Sequence, residues 1–166
     1  MKKILLILLL FSSIFAQANR ILTIAPTAQV SSIGNVTLPM LNPARNLFVK
    51  DHFSFSRVNW MTNIVDDMSY NFINVDRGQY GLNVLFFNYG EQNQTDEFGI
   101  IQSQFTPLSA VYGFSYARKV DKYNLGLDVK LITHNLHTQK ANGFVLGIGG
   151  YFPKVYKDLD LDVMIQ

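Results

Sequence analysis

From Lys50 onward, hydrophobic and polar residues alternate with a period of two, the signature of strands whose two faces meet different surroundings. The clearest stretch is YNLGLDVKL: Tyr123, Leu125, Leu127, Val129 and Leu131 share one face, and Asn124, Gly126, Asp128 and Lys130 the other. Ala110 to Lys119 repeats the asymmetry, with Tyr112, Phe114 and Tyr116 set against Gly113, Ser115 and Ala117. So does Phe144 to Phe152, with Leu146 and Ile148 against Gly147 and Gly149. Gln79 to Phe87 and Leu159 to Ile165 follow the pattern in part. Phe53 to Trp60, Met68 to Val75 and Phe98 to Phe105 are weaker instances, giving about eight strands of roughly 8 to 13 residues. Asp76-Arg77-Gly78-Gln79 and Val120-Asp121-Lys122 read as tight turns, and Gly90 to Glu97 as a longer polar loop. Long consecutive strands predict an antiparallel meander.

Upstream the pattern changes. Pro26, Gly34, Pro39 and Pro43 interrupt short apolar stretches between Asn19 and Lys50, which predicts loops and short helices. The first eighteen residues are different again. Lys2 and Lys3 precede an apolar run from Ile4 to Phe11, and Ala16-Gln17-Ala18 supplies the small residues of a signal-peptide cleavage site. The run is shorter than the roughly 20 residues of a spanning helix. The expectation is a cleaved signal peptide over 1–18, an N-terminal segment over 19–50 and strands over 51–166, in an exported protein. No Cys follows the cleavage site, so lipid attachment at a new N-terminal cysteine is excluded.

Composition narrows the destination. Only 16% of residues are charged while 13% are aromatic, against roughly a quarter charged in soluble domains. With no Cys, neither a disulfide framework nor a thiolate metal site can form. The net charge of +2 includes both signal lysines, and no basic patch suits a nucleic acid. After the signal no apolar run is long enough for a spanning helix, which leaves the β-barrel as the route into a membrane. A soluble exported β-sandwich alternates too, with its apolar face inward. Small and polar residues on one face, Tyr and Phe near strand ends and the strand lengths favour the barrel.

Candidate chemistry is sparse. His134 and His137 look like an H-x-x-H pair, but three-residue spacing on a strand puts them on opposite faces. Asp158, Asp160 and Asp162 alternate along one strand without the glycine turn of a calcium loop, and Asp66-Asp67 reads as a loop tip. No G-x-S-x-G occurs, and Gly147-Ile148-Gly149-Gly150 lies in a strand pattern with no helix after it. Neither an enzymatic activity nor a cofactor is expected. Asp128 and Lys130, two apart on the polar face of the clearest strand, are the candidate lumen-facing pair.

Asn42-Pro43-Ala44, together with Tyr89-Gly90, Thr95 to Gly99, Ser115 to Arg118 and Gly126 to Lys130, resembles the PorV/PorQ family of outer-membrane proteins, which is similar to the long-chain fatty-acid transporter (FadL) barrels. The resemblance spans about Asn42 to Gln166, and Arg45 stands where the family usually has a small residue. It implies an antiparallel transmembrane β-barrel of about fourteen strands in the outer membrane, with a hatch-like N-terminal segment inside it. It also implies passage of a hydrophobic small molecule or, for PorV and PorQ members, work with secretion-machinery proteins of the type IX pathway. About eight predicted strands and an end at Gln166 within a strand pattern lead to the expectation of a truncated barrel. A secretion-accessory protein that binds partners through extracellular loops such as Gly90 to Glu97 is the alternative on the same scaffold.

Overall fold

A computed structural model describes residues 42–60 and 67–166; Ala16, Ala18, the rest of the signal, most of the 19–50 segment and Asp66 lie outside the described residues. Nine strands follow a 3-10 helix at Pro43–Phe48: β1 (His52–Asn59), β2 (Met68–Arg77), β3 (Tyr80–Tyr89), β4 (Gln92–Thr95), β5 (Ile101–Phe105), β6 (Leu108–Val120), β7 (Tyr123–Leu136), β8 (Gln139–Tyr156) and β9 (Leu159–Ile165). Seven of them form one antiparallel meander in the order β1-β2-β3-β6-β7-β8-β9, curled into a half-barrel. The chain is all-β, as its alternation predicts.

Turn chemistry fixes the register. Four hairpins close through two-residue loops, between the paired positions Arg77 and Tyr80, Val120 and Tyr123, Leu136 and Gln139, and Tyr156 and Leu159. The first loop residue in each has left-handed φ: Gly78 at 58°, Asp121 at 54°, His137 at 57° and Lys157 at 54°. Such turns match the twist of antiparallel strands. His137 is therefore a turn residue, and His134 lies in β7 with Nδ1 2.6 Å from Ser109 Oγ. Asp158 likewise sits in the β8–β9 turn, so only Asp160 and Asp162 of the predicted row share a strand.

Two expectations change at the β3–β6 connection. The predicted polar loop contains β4, and Phe98 to Phe105 contributes only the five-residue β5; the two strands form a separate hairpin. Asp96 makes β5 begin later than the apolar residues Phe98 and Ile100 suggest. Its Oδ1 accepts from the backbone N–H of Phe98 and Ile100, both at 2.9 Å, and its Oδ2 from Gln102 at 3.0 Å. The Ile100 N–H first, then Gln102 and Phe98, hold its carboxyl below the ordinary carboxylate value. Asn and Asp compete with the ladder in this way and favour turns. Phe98, 81% exposed, stands at the tip.

The burial pattern is inverted relative to a water-soluble sheet. Leu127 is 56% exposed and Phe144 70%, while Asp128 and Lys130 are 4% and 3% exposed. Apolar residues cover the outer surface: Phe53 and Phe55, Leu82, Phe114, the alternate residues Leu125, Leu127, Val129 and Leu131, Leu146 and Ile148, then Leu161 and Val163. Near the β2–β3 and β6–β7 turns this band ends in Tyr80, Tyr116 and Tyr123; Tyr80 and Tyr116 lie 5.3 Å apart between ring centroids. The only other sheet among the described residues is the β4–β5 hairpin.

Candidate functional site

The inner face is built from rows of residues in register across the strands. At one end lie Tyr70, Phe87, Ser109 and His134, then Phe72, Leu85, Val111 and Ile132. The apolar members form the buried cluster, with Trp60, Met68, Tyr89 and Val145 packed around it. Phe87 is its centre, 4.5 Å from the Tyr89 ring, 6.0 Å from Trp60 and 6.2 Å from Tyr70. The next two rows are polar or small: Asn74, Asn83, Gly113 and Lys130, then Asp76, Gly81, Ser115, Asp128 and Gly147. The inner surface thus passes from apolar to charged along the strands.

Lys130 and Asp128 meet in that polar zone. Lys130 Nζ lies 2.8 Å from Asp128 Oδ2, both side chains being buried, so each charge depends on the other. Gly113 faces Lys130 and Gly147 faces Asp128 across the ladder, which leaves room for the two side chains. A Cβ on Gly147 would come within 2.6 Å of Met164 Cε as well as collide with the Asp128 carboxylate. Asp128 Oδ1 has no hydrogen-bond partner among the described residues. Farther across the sheet, Asn74 donates to Asp76 Oδ2 at 2.5 Å, and His52 Nδ1 lies 3.6 Å from the same oxygen.

The Asn42-Pro43-Ala44 segment sits on this inner face. Asn42 is extended, as a residue before proline prefers, and Pro43 opens the 3-10 helix where its missing N–H costs nothing. The Asn42 side chain caps the helix by accepting from Ala44 N–H at 3.0 Å. Its Nδ2 donates to Gly150 O and Val163 O, both at 3.3 Å, and to Asp162 Oδ1 at 3.1 Å, bridging β8 and β9. Gly126 and Gly149, directly paired across β7 and β8, form the floor. A Cβ on Gly126 would come within 2.5 Å of the Pro43 carbonyl carbon and one on Gly149 within 2.8 Å of Pro43 Cδ, so the helix can lie this close only over glycine. Asn46 adds a bond of 2.8 Å to Ser115 Oγ.

Arg45 fastens the segment. Its Nε lies 3.1 Å from both Asp162 carboxylate oxygens, and its Nη2 pairs with Asp162 as well. The guanidinium stacks over Tyr151 at 4.7 Å and over Phe48 at 5.3 Å, and those two rings meet edge to face at 4.7 Å. Asp162 therefore serves as a hub for Asn42 and Arg45, and Asp160 accepts from Tyr151 OH at 2.5 Å. Two carboxylates of the predicted acidic row, Asp160 and Asp162, are thus engaged with the protein's own donors.

The structure brings Asn42, Pro43 and Ala44 together with Gly126, Gly149 and Asp162, and leaves Asp128 and Lys130 in the adjacent polar rows. Sequence reasoning missed Arg45, Asn46, Ser115 and the glycine floor as parts of one site. The visible signal was the recurrence of glycine on the polar face, at Gly126, Gly147 and Gly149; nothing local marked position 162 as the partner of 45. No protein-family model matches the chain, no curated protein matches it, and no solved structure matches its fold.

Proposed function

We propose that this chain forms the wall of an outer-membrane β-barrel of the PorV/PorQ and fatty-acid-transporter type, exported by a cleaved signal peptide, without enzymatic activity, and serving the passage of hydrophobic solutes. The inverted polarity of the strands carries the proposal. An apolar band over several strands, bounded by tyrosines, is costly against water and favourable against acyl chains. A β-sandwich would need a second sheet over that band. β6, β7 and β8, of 13, 14 and 18 residues, exceed the roughly 9–11 that cross a bilayer at a tilt.

Among the described residues β1 and β9 are the edges, and in a seven-stranded antiparallel meander they run the same way. A seam directly between them would be parallel, so antiparallel closure takes an odd number of further strands. Seven more fit the barrel of about fourteen that the resemblance implies. Open edges within hydrocarbon would leave backbone groups unsatisfied. On the inner face, the apolar cluster suits a hydrophobic solute, and the seat of the Asn42 to Phe48 segment against that face supports reading it as part of a hatch.

Heat-modifiability of the detergent-extracted chain tests the barrel: the folded form migrates differently before and after boiling. Recovery of the chain in the soluble periplasm defeats the proposal. The secretion-accessory role rests on a different observation, the β4–β5 hairpin braced by Asp96 and tipped by Phe98. Deleting 92–105 then abolishes partner capture and leaves solute uptake unchanged, whereas the transport role predicts loss of uptake when the inner apolar cluster is made polar.

A further inference from the structure

We propose that the outer-face notch between the β6–β7 turn and the irregular end of β8 binds the phosphodiester headgroup of an anionic phospholipid; this rests on the membrane reading above. The notch, about 360 Å³, is lined by Lys122, Tyr123, Phe152, Lys154 and Leu161, among others. Tyr123, Phe152 and Leu161 continue the outer apolar band, and the Tyr123 and Phe152 rings lie 5.3 Å apart. Acyl chains can therefore run down the band while a headgroup stays at its rim. Lys122 Nζ stands 5.3 Å from the Tyr123 ring, and neither Lys122 nor Lys154 forms an ion pair among the described residues. Two cations that form no ion pair, with the Asp160 carboxylate acting on Lys154 only through space, suit one anionic headgroup at the edge of an apolar surface.

The position of Lys154 is built. The β8–β9 register shifts between Phe152 and Tyr156, and Lys154 has a left-handed φ of 51°, which a side-chain-bearing residue disfavours. Asp160 holds that conformation: its Oδ1 accepts from Lys154 N–H at 2.9 Å, while Oδ2 is taken by Tyr151 OH. The carboxylate is occupied by these donors, and the bulge turns the lysine toward the notch. Backbone conformations of this kind persist where surrounding bonds over-determine them, and they concentrate at binding sites. A zwitterionic choline headgroup would bring a cation to the two lysines, and a free phosphate would leave the apolar floor uncovered.

The full chain, purified in detergent and exchanged into micelles with equal phosphatidylglycerol and phosphatidylcholine, provides the test by native mass spectrometry. Wild type retains phosphatidylglycerol preferentially, and each of Lys122→Ala and Lys154→Ala lowers that preference roughly fivefold. Millimolar inorganic phosphate leaves the bound lipid in place. The proposal is overturned if the double lysine variant keeps the preference, or if phosphate alone strips the lipid. A wild-type chain that inserts into vesicles but retains both lipids equally defeats this inference alone. One that neither co-floats with vesicles nor shifts on boiling defeats the membrane reading.

Discussion

Consecutive residues of β7 live in opposite chemistry. Leu127 and Val129 stand exposed on the outer face, while Asp128 and Lys130, between and beside them, are buried as an ion pair. In a water-soluble sheet the assignments would be exchanged. The difference teaches that alternation alone specifies two faces, and that the solvent on each side decides which face is interior. The outer face gains by being apolar and uniform. The inner face gains by being matched: small residues where another segment sits, charges only where a partner waits.

That contrast can be broken most severely from inside. Lys130→Met leaves Asp128 buried without its counter-charge and should cost about 3–5 kcal/mol, read as a lower urea midpoint of the chain folded in lipid vesicles. The double variant Asp128→Asn with Lys130→Met should recover most of the loss; if it is worse than the single change, the pair is not what stabilises these rows. From outside, Leu127→Arg should cost about 2–4 kcal/mol in vesicles. An unchanged midpoint there means that the face is not lipid-exposed. The same change in a soluble sandwich would disrupt a core, and then the chain would not partition into vesicles at all.

Smaller effects sharpen the comparison. Arg45→Ala removes the charged clamp on Asp162 and should cost about 1.5–3 kcal/mol. A double-mutant cycle of Arg45→Ala with Asp162→Ala should show the two changes to be strongly coupled, whereas a 3-10 segment lying elsewhere would make them additive. Smallest is the hairpin outside the meander. The lowered Asp96 carboxyl stabilises its turn fully above the ordinary carboxylate value. That contribution is lost as pH falls through the lower folded value. Proteolysis at Phe98 should therefore rise only in strongly acidic buffer, and Asp96→Asn should make it high and independent of pH; a rise near neutral pH would contradict the assignment.

How much of this was legible varied with the range of the interaction. The two-residue turns at Gly78 and Asp121 and the faces of β6, β7 and β8 follow from residues within a few positions of one another. The β4–β5 hairpin was missed because Asp96 captures Phe98, Ile100 and Gln102 through its side chain, which strand periodicity does not register. Asn42-Pro43-Ala44 stood out as a motif, yet its seat on Gly126 and Gly149 did not, since each glycine alone reads as a weak point in a strand.

By itself the sequence determined an all-β chain, the membership of the clearest strand faces and the tight turns at Gly78 and Asp121, because these depend on side-chain period and local φ preferences. Only the tertiary structure decided that the polar face is interior, that the Asn42 segment lies on paired glycines, and that Arg45 and Asn42 converge on Asp162. Those outcomes depend on contacts between residues far apart in the chain, such as Asn42 with Val163, where curvature of the sheet, not local preference, sets which groups meet.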